Sequence, residues 1–339
     1  MTTASSDRCL SRYAVLTAVI ALLPIGMGAL VTTLDAGMAF LDWPTSDGQN
    51  MFLYPWLQDF HASREKFLEH GHRLAGSLIG IFSIGLVALT LRRESRGWVR
   101  VIAVGILTAV VLQGLLGGFR VIADARLAAL VHGSFASLIF ATITVFALVT
   151  GSKWTNGGCT SKSMTRISNR LKVLAVVTPL VVFGQSLIGG LVRHLGLALH
   201  EHLAGAILAT VLAVSLVVAS WRSGQAWLRS AAVGLLVVLL VQLVLGAGAW
   251  VTRFGFPPAG YVAVQQAPAQ ILFRTAHAVA AMFVLMMSVQ ITSRVSRLHW
   301  LCGARFQPLI ERAATGCDQA DPQQRMSQRD RRPFAGGGQ

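Results

Sequence analysis

The sequence predicts an all-α polytopic membrane protein with eight transmembrane helices, arranged as two pseudo-symmetric four-helix bundles. Three observations carry that prediction. Of 339 residues, 54% are hydrophobic and only 13% charged, where a soluble domain carries about 25% charged. The apolar residues are blocked into eight long uncharged runs. Short motifs also recur between the first four runs and the last four.

In chain order the runs are residues 13–34, 74–91, 101–119, 127–152, 173–192, 203–221, 230–252 and 275–293. Each has at least 18 residues, enough to cross a bilayer core of roughly 30 Å. A ninth uncharged stretch, 254–273, contains Pro257, Pro258 and Pro268 and reads as a loop, because proline breaks helix interiors. The first run is too long for the apolar region of a signal peptide and is read as a retained span.

The net charge of +15 raises the question of nucleic acid, and its distribution answers it. With eight alternating spans and a cytoplasmic N-terminus, 21 of the 29 Lys and Arg residues fall on the cytoplasmic side. That is the positive-inside bias. The basic excess is therefore an orientation signal and no nucleic-acid partner is expected. The reading is a multi-pass protein of the inner (plasma) membrane with both termini cytoplasmic. Cys9, Cys159, Cys302 and Cys317 all fall on the reducing side, so no structural disulfide is expected.

The organisation expected is a cytoplasmic N-terminus over 1–12, a first bundle over 13–150, a cytoplasmic linker over 151–172 and a second bundle over 173–293. A disordered cytoplasmic tail follows over 294–339. The repeat behind this division has two parts. Gln113-Gly114-Leu115-Leu116-Gly117-Gly118 recurs as Gln185-Ser186-Leu187-Ile188-Gly189-Gly190 and as Gln242-Leu243-Val244-Leu245-Gly246-Ala247. The window 131–142, with His132, lies over 199–210, with His200, and five of its twelve positions are identical. His72 and His277 open the second and eighth spans in the same way. The glycine patches suit close helix packing in lipid, or they leave room for a flat ligand between helices.

Nine histidines are present. His299 lies in the tail, and His61, His70 and His194 lie in or beside outer loops, where they are expected to be solvated. The others need a reason, since polar groups in hydrocarbon are costly and face the bundle interior. His72, His132, His200 and His277 each fall within about two turns of the outer end of their span, at one depth. Four imidazoles at one level, two per half, match bis-histidine ligation of haem iron. Zinc competes less well, because structural zinc sites recruit cysteine and catalytic ones often a carboxylate. His202 lies about 200° around the helix from His200, so both cannot face one iron. The repeat register selects His200 and keeps His202 as the alternate ligand.

Arg120, Arg126, Arg193, Arg253 and Arg274 lie near the outer span ends. There they could pair with haem propionates or act as ordinary interfacial anchors. Glu69 stands three residues before His72, on the same helix face, and the second half has no acid at the matching position. It is a candidate for chemistry, or a carboxylate that is solvated or favoured by the helix N-terminus.

These residues resemble the haem A synthase family of bacterial and mitochondrial cytochrome oxidase assembly. Glu69-His70-Gly71-His72-Arg73 is similar to its Glu-x-x-His-Arg motif. Gly37 followed by Asp42-Trp43-Pro44 is similar to a segment of its first outer loop. His132, His200 and His277 stand where its further histidines are expected. The resemblance spans about residues 14–293. It implies an enzyme of two pseudo-symmetric four-helix bundles. That enzyme oxidises the C8 methyl of haem O to the formyl group of haem A, with oxygen from water.

By that resemblance His72 and His132 hold the substrate haem, with Glu69 catalytic at its reacting edge. His200 and His277 then hold a haem b cofactor. Haem O synthase and an electron-accepting protein or quinone are implied as membrane partners, and homo-oligomerisation is left open. Some members carry a cysteine pair in outer loops, and this chain has none. The sixth span reads His200-Glu201-His202 where a His-Arg form is expected, which leaves its ligand open.

The competing reading is a bis-histidine di-haem cytochrome b that passes electrons without modifying haem. It gives no reason for Glu69 and Arg73 in one half only. A transporter is disfavoured, because halves of four spans are parallel repeats and no intramembrane acid chain is evident.

Overall fold

The computed structural model describes residues 8–155 and 167–318, with side chains described as far as His299. Among them eight helices are long and apolar enough to cross a membrane. They are α1 Arg8–Thr33, α2 Arg64–Arg93, α3 Gly97–Ile122, α4 Arg126–Thr150, α5 Asn169–Leu195, α6 Leu199–Arg222, α7 Ala226–Phe254 and α8 Pro268–Asp318. No strand occurs among the described residues.

Each helix begins before its uncharged run. A charge ends an apolar run but not a helix, since Arg and Lys are good helix formers. Thus α1 begins at Arg8, five residues before the first run, and α2 begins at Arg64, ten residues before the second. Local signals fix several ends. Ser63 caps α2 by accepting from Lys66 N, and Ser168 caps α5 by accepting from Leu171 N at 3.2 Å. Gly196 ends α5 in the left-handed region, at φ 70°, where glycine carries no side-chain penalty. The largest departure is at the C-terminus. The tail expected to be disordered from 294 continues α8 as helix to Asp318, and residues 319–339 lie outside the described ones. In the linker a short helix, Ser152–Thr155, precedes α5, and residues 156–166 lie outside the description. Cys9 is exposed at the start of α1, and Cys159 lies outside the described residues.

Each helix packs on its successor within α1–α4 and within α5–α8; α1 also meets α4, and α5 meets α8. Between the halves, α4 touches α5 and α8, and α1 touches α8. Leu10, Ala14, Ile79, Leu86, Ile106, Ile143 and Phe146 are buried in one apolar core, which Val279, Met282 and Phe283 of α8 complete. Leu171, Ala213, Leu216, Leu228, Leu235, Leu285 and Ile291 make a second, and Val31, Ala36 and Leu68 a smaller third at the start of α2. Phe140 and Phe283 meet edge to face across the halves with ring centres 5.4 Å apart. Lower down, Gln290 donates to Thr144 O at 3.0 Å.

The even-numbered helices all start at one end of the molecule, which also carries the connections 34–63, 123–125, 196–198 and 255–267. We call this the histidine end. Its covers differ in placement. The first half has its long connection between its first and second helices, and the second half between its third and fourth.

Candidate histidine-pair sites

At the histidine end the imidazoles meet in two pairs. The rings of His72 on α2 and His132 on α4 have centres 6.1 Å apart and planes at 81°. Those of His202 on α6 and His277 on α8 lie 6.3 Å apart at 87°. Every ring rests on a glycine of the preceding helix. A Cβ on Gly28 would stand 2.8 Å from His72, one on Gly117 3.1 Å from His132, and one on Gly189 or Gly246 2.9 Å from His202 or His277. At these distances a Cβ would push against the ring, so glycine lets it sit closest.

One turn before each glycine stands the group that steadies the histidine. Pro24 O faces His72 Nδ1 at 3.0 Å, and Gln242 O faces His277 Nδ1 at 3.2 Å. Gln113 donates to His132 O at 2.7 Å. Gln185 donates to His202 O at 2.7 Å and lies 3.0 Å from His202 Nδ1. The Gln-x-x-x-Gly repeat is thus the scaffold of the site. Its glycines serve neither bare packing nor an open slot but the imidazoles themselves. Pro24-Ile25-Gly26-Met27-Gly28 is a fourth copy with proline in place of glutamine, and its matching four-residue spacing could have disclosed it.

The repeat register selected His200, and the structure differs. His202 faces His277, and His200 is exposed. The window that set the register matched small apolar residues common to all membrane helices. It ignored helix starts: α4 begins six residues before His132, whereas α6 begins only three before His202. The equivalent glutamine bonds, Gln113 to His132 and Gln185 to His202, set the register that matters.

Of the histidines expected to be solvated, His61 and His299 are exposed. His70 is fully buried, with its Nδ1 3.1 Å from Ser46 Oγ and with Phe40, Tyr54 and Trp56 around its ring. His194 is half-buried, its Nε2 3.9 Å from where a Cβ on Gly133 would stand. A loop position in the sequence does not exclude burial when the loop folds back on the helices.

Glu69 is 3% exposed, and both its oxygens are engaged. Oε1 pairs with Arg73 at 2.7 Å. Oε2 accepts from Ala39 N at 2.7 Å and from Phe40 N at 3.3 Å. Arg73 in turn donates to Asp42 O and Thr45 O at 3.0 and 2.8 Å. The motif that holds His72 therefore also grips segment 39–46 of the first connection. Asp42 accepts from Gly48 N at 2.8 Å and Asp47 N at 3.1 Å. Burial works against its charge, but the Thr45 side chain and these two N–H groups outweigh it and hold its carboxyl below the usual range. Burial, with the Asp59 carboxylate beside it, pushes the Tyr54 hydroxyl up to about 12.

The five arginines divide. Arg126 and Arg253 are exposed, and Arg253 bonds Gln265. Arg120 is half-buried with its guanidinium against Gly37, and Arg274 is half-buried one turn before His277. Arg193 of α5 crosses to α1, donating to Ala29 O and to Thr33 Oγ1 at 2.9 Å, while Thr275 of α8 bonds the same Thr33 at 2.9 Å.

The donor set selects among metals. Among the described residues no three or more His, Cys, Asp or Glu come together, whereas a bare zinc ion takes three or four protein ligands. Haem iron needs only two, because the porphyrin supplies the rest. Metal–nitrogen bonds of about 2 Å, with about 1.1 Å from nitrogen to ring centre, put two imidazoles on one metal with centres about 6.3 Å apart. Both pairs match that spacing. A backbone carbonyl at Nδ1 favours the tautomer that leaves Nε2 able to ligate, as for His72 and His277, although the Gln242 side-chain amide stands 3.4 Å from His277 Nε2.

Comparison with known proteins points the same way. The family model described as cytochrome oxidase assembly protein, COX15-CtaA, matches residues 11–202, from α1 through the histidine turn of α6. The chain is 31% identical over 183 residues to a protein of Symbiobacterium thermophilum named heme A synthase, covering 52% of this chain. It spans 56% of that relative's length. Eight apolar helices and a match over more than half its length assign this multi-pass membrane chain to the COX15-CtaA family of cytochrome oxidase assembly proteins.

Proposed function

We propose that the chain is a haem A synthase that oxidises the C8 methyl group of haem O to a formyl group. Two four-helix halves divide the work: His72 and His132 hold the substrate haem, and His202 and His277 hold a haem b cofactor. The reaction balances as methyl plus water giving formyl, four protons and four electrons. The four electrons need an acceptor, a protein or quinone in the membrane, and a haem b held by His202 and His277 would supply the redox centre between them. Haem O synthase is the source of substrate that this chemistry requires.

The residues of the chain bind, orient and exclude water. Glycine seats fix the rings of all four histidines, and the carbonyls of Pro24 and Gln242 set the ring protons of His72 and His277. Arg120 in the first half and Arg274 in the second supply guanidinium groups for propionates, and Arg193 stands between the halves, bonded to α1. Haem iron, where bound, supplies the redox centre.

The observation that carries this reading is the doubled pair of imidazoles at 6.1 and 6.3 Å, each ring on its own glycine. Extraction of pigment from the purified protein tests it. Haem b together with haem O or haem A is expected. Haem b alone overturns the synthase in favour of an electron-passing cytochrome.

A further inference from the structure

Segment 37–49 is attached to the first half at several places, Ser46 meeting His70 and Asp47 pairing with Lys66 among them. Glu69 and Arg73 grip its backbone at Ala39, Phe40, Asp42 and Thr45. The Trp43 indole fills the space where a Cβ of Gly118 would stand, and Gly37 closes on Arg120. Gly118 adjoins Gly117, the seat of His132, while Glu69 and Arg73 flank His72. One loop thus leans on both helices that present the first pair. Phe40, fully buried among Tyr54, His70 and Arg73, roots its middle. Leu41, Phe52 and Leu53 are 79%, 67% and 80% exposed.

Among the described residues no buried ion pair grips the connection over the second pair. Where Glu69 and Arg73 stand about His72, Leu199 and Leu203 stand about His202. The place beside Gly248 is filled by Phe273 of α8 itself, not by a loop residue. The connection 255–267 is tied by Gln270, which accepts from Gln266 N and donates to Thr252 O, both at 2.9 Å, and by Arg253, which bonds Gln265.

We infer that Glu69, Arg73 and Trp43 are positioning residues that hold segment 37–49 as a removable wall over the His72–His132 site. This makes the first half the one that exchanges its haem. The inference rests on the function proposed above. A substrate must enter and a product leave at every turnover, so its cover must open, whereas a cofactor is served best by a cover built from helix. A connection without regular secondary structure, held by a few polar clamps and one aromatic anchor, opens at lower free energy than the packed helices. Glu69 acts through the loop. Both its oxygens are already engaged, by Arg73, Ala39 N and Phe40 N, in holding that loop.

The test uses the full-length haem-loaded protein and two readouts: amide hydrogen exchange over residues 37–50, and transfer of haem O to an added haem-free globin. Trp43→Ala removes the wedge without touching the clamp. Gly118→Val evicts the indole from the other side, and the nearest atoms its Cβ meets all belong to Trp43. Glu69→Gln breaks the ion pair. All three should speed exchange of the 39–46 amides by about tenfold or more and speed haem O transfer severalfold, with the second-half haem spectrum unchanged. Trp43→Phe, which keeps an aromatic wedge, should restore most of the wild-type behaviour. Wild-type amide exchange and wild-type haem transfer in Glu69→Gln and Trp43→Ala would overturn the inference. If Glu69→Gln then lowered conversion alone, Glu69 would act on the reacting edge itself. The amide readout requires no haem, so its failure is separate from failure of the functional reading, which pigment extraction reports.

Discussion

The two halves present the same imidazole geometry under different covers. In both, two rings stand nearly perpendicular at just over 6 Å, each on a glycine one turn after a steadying residue. Over the first pair lies a thirty-residue connection gripped by a buried ion pair; over the second, a three-residue link between α5 and α6 and a thirteen-residue connection tied by Gln265, Gln270 and Arg253. What the halves share is what any bound haem demands, namely fixed rings, a set tautomer and no side chain in the way. What they do not share is access. A duplicated scaffold keeps its ligand geometry under tight steric constraint, since one Cβ at a glycine seat displaces a ring. The connections above are free to diverge, and there the division between substrate and cofactor is proposed to lie.

The largest effects separate the pairs. His202→Ala and His277→Ala should each abolish the haem signal of the second half while leaving haem O bound in the first. His200→Ala should leave both, because its side chain faces outward. Reduced-minus-oxidised spectra with pigment extraction decide the point. Loss of haem b in His200→Ala with retention in His202→Ala would break the assignment of the second pair.

The contrast between His200 and His202 also marks how far the sequence reaches. Eight spans are legible because hydrocarbon tolerates few charges, and this pattern needs no tertiary information. The depth of the histidines is legible for the same reason. The face a histidine presents depends on where its helix begins and which residue it leans on. A gap of two positions between His200 and His202 turns that face by about 200°. The Gln-x-x-x-Gly spacing held the answer, because it records contacts between neighbouring helices rather than likeness of apolar residues. The burial of His70 and the engagement of Glu69 were not legible at all. Both depend on a long connection folding back onto α2 through bonds to its own backbone, which leave no periodic trace.

Intermediate effects are expected at the seats. Gly117→Val and Gly189→Val add bulk against His132 and His202 respectively. Overpacking of this kind costs about 1–3 kcal/mol, or about tenfold in occupancy per 1.4 kcal/mol. Each should depress only the haem of its own half, measured by titrating haem into protein freed of pigment. Equal losses in both halves from either substitution would mean that the pairs are not independent sites.

The steadying glutamines sharpen the comparison further. Gln185 reaches both the ring nitrogen and the backbone of His202, whereas Gln113 reaches only the backbone of His132. Loss of a partner to a ligating ring typically weakens a metal site by about 10–100-fold, while loss of one hydrogen bond to a backbone carbonyl costs about 1 kcal/mol. Gln185→Leu should therefore weaken second-half haem binding more than Gln113→Leu weakens the first. The reverse order would remove Gln185 from the ligand's surroundings.

The smallest expected effect concerns pH and belongs to the first half alone. Asp42 ties Asp47 and Gly48 into the turn that follows Trp43, and these bonds, with Thr45, hold its carboxyl below the usual value. A depressed carboxylate stabilises the fold fully above its unfolded pKa of about 3.9, and that contribution is lost as pH falls through the lowered one. The turn should thus stay closed at neutral and mildly acid pH and loosen only below about pH 4. Pepsin, active in that range, reads the opening directly through cleavage within 40–60, where Leu41, Phe52 and Leu53 are exposed. Wild-type cleavage, corrected for the enzyme's own pH profile, should rise as the carboxyl protonates. Asp42→Asn, which cannot titrate, should show the raised level across the whole range, with the 255–267 connection unaffected in both. A variant that still titrates like the wild type would place the acid-sensitive group elsewhere in the loop, with Asp47 and Asp59 as the next carboxylates to replace.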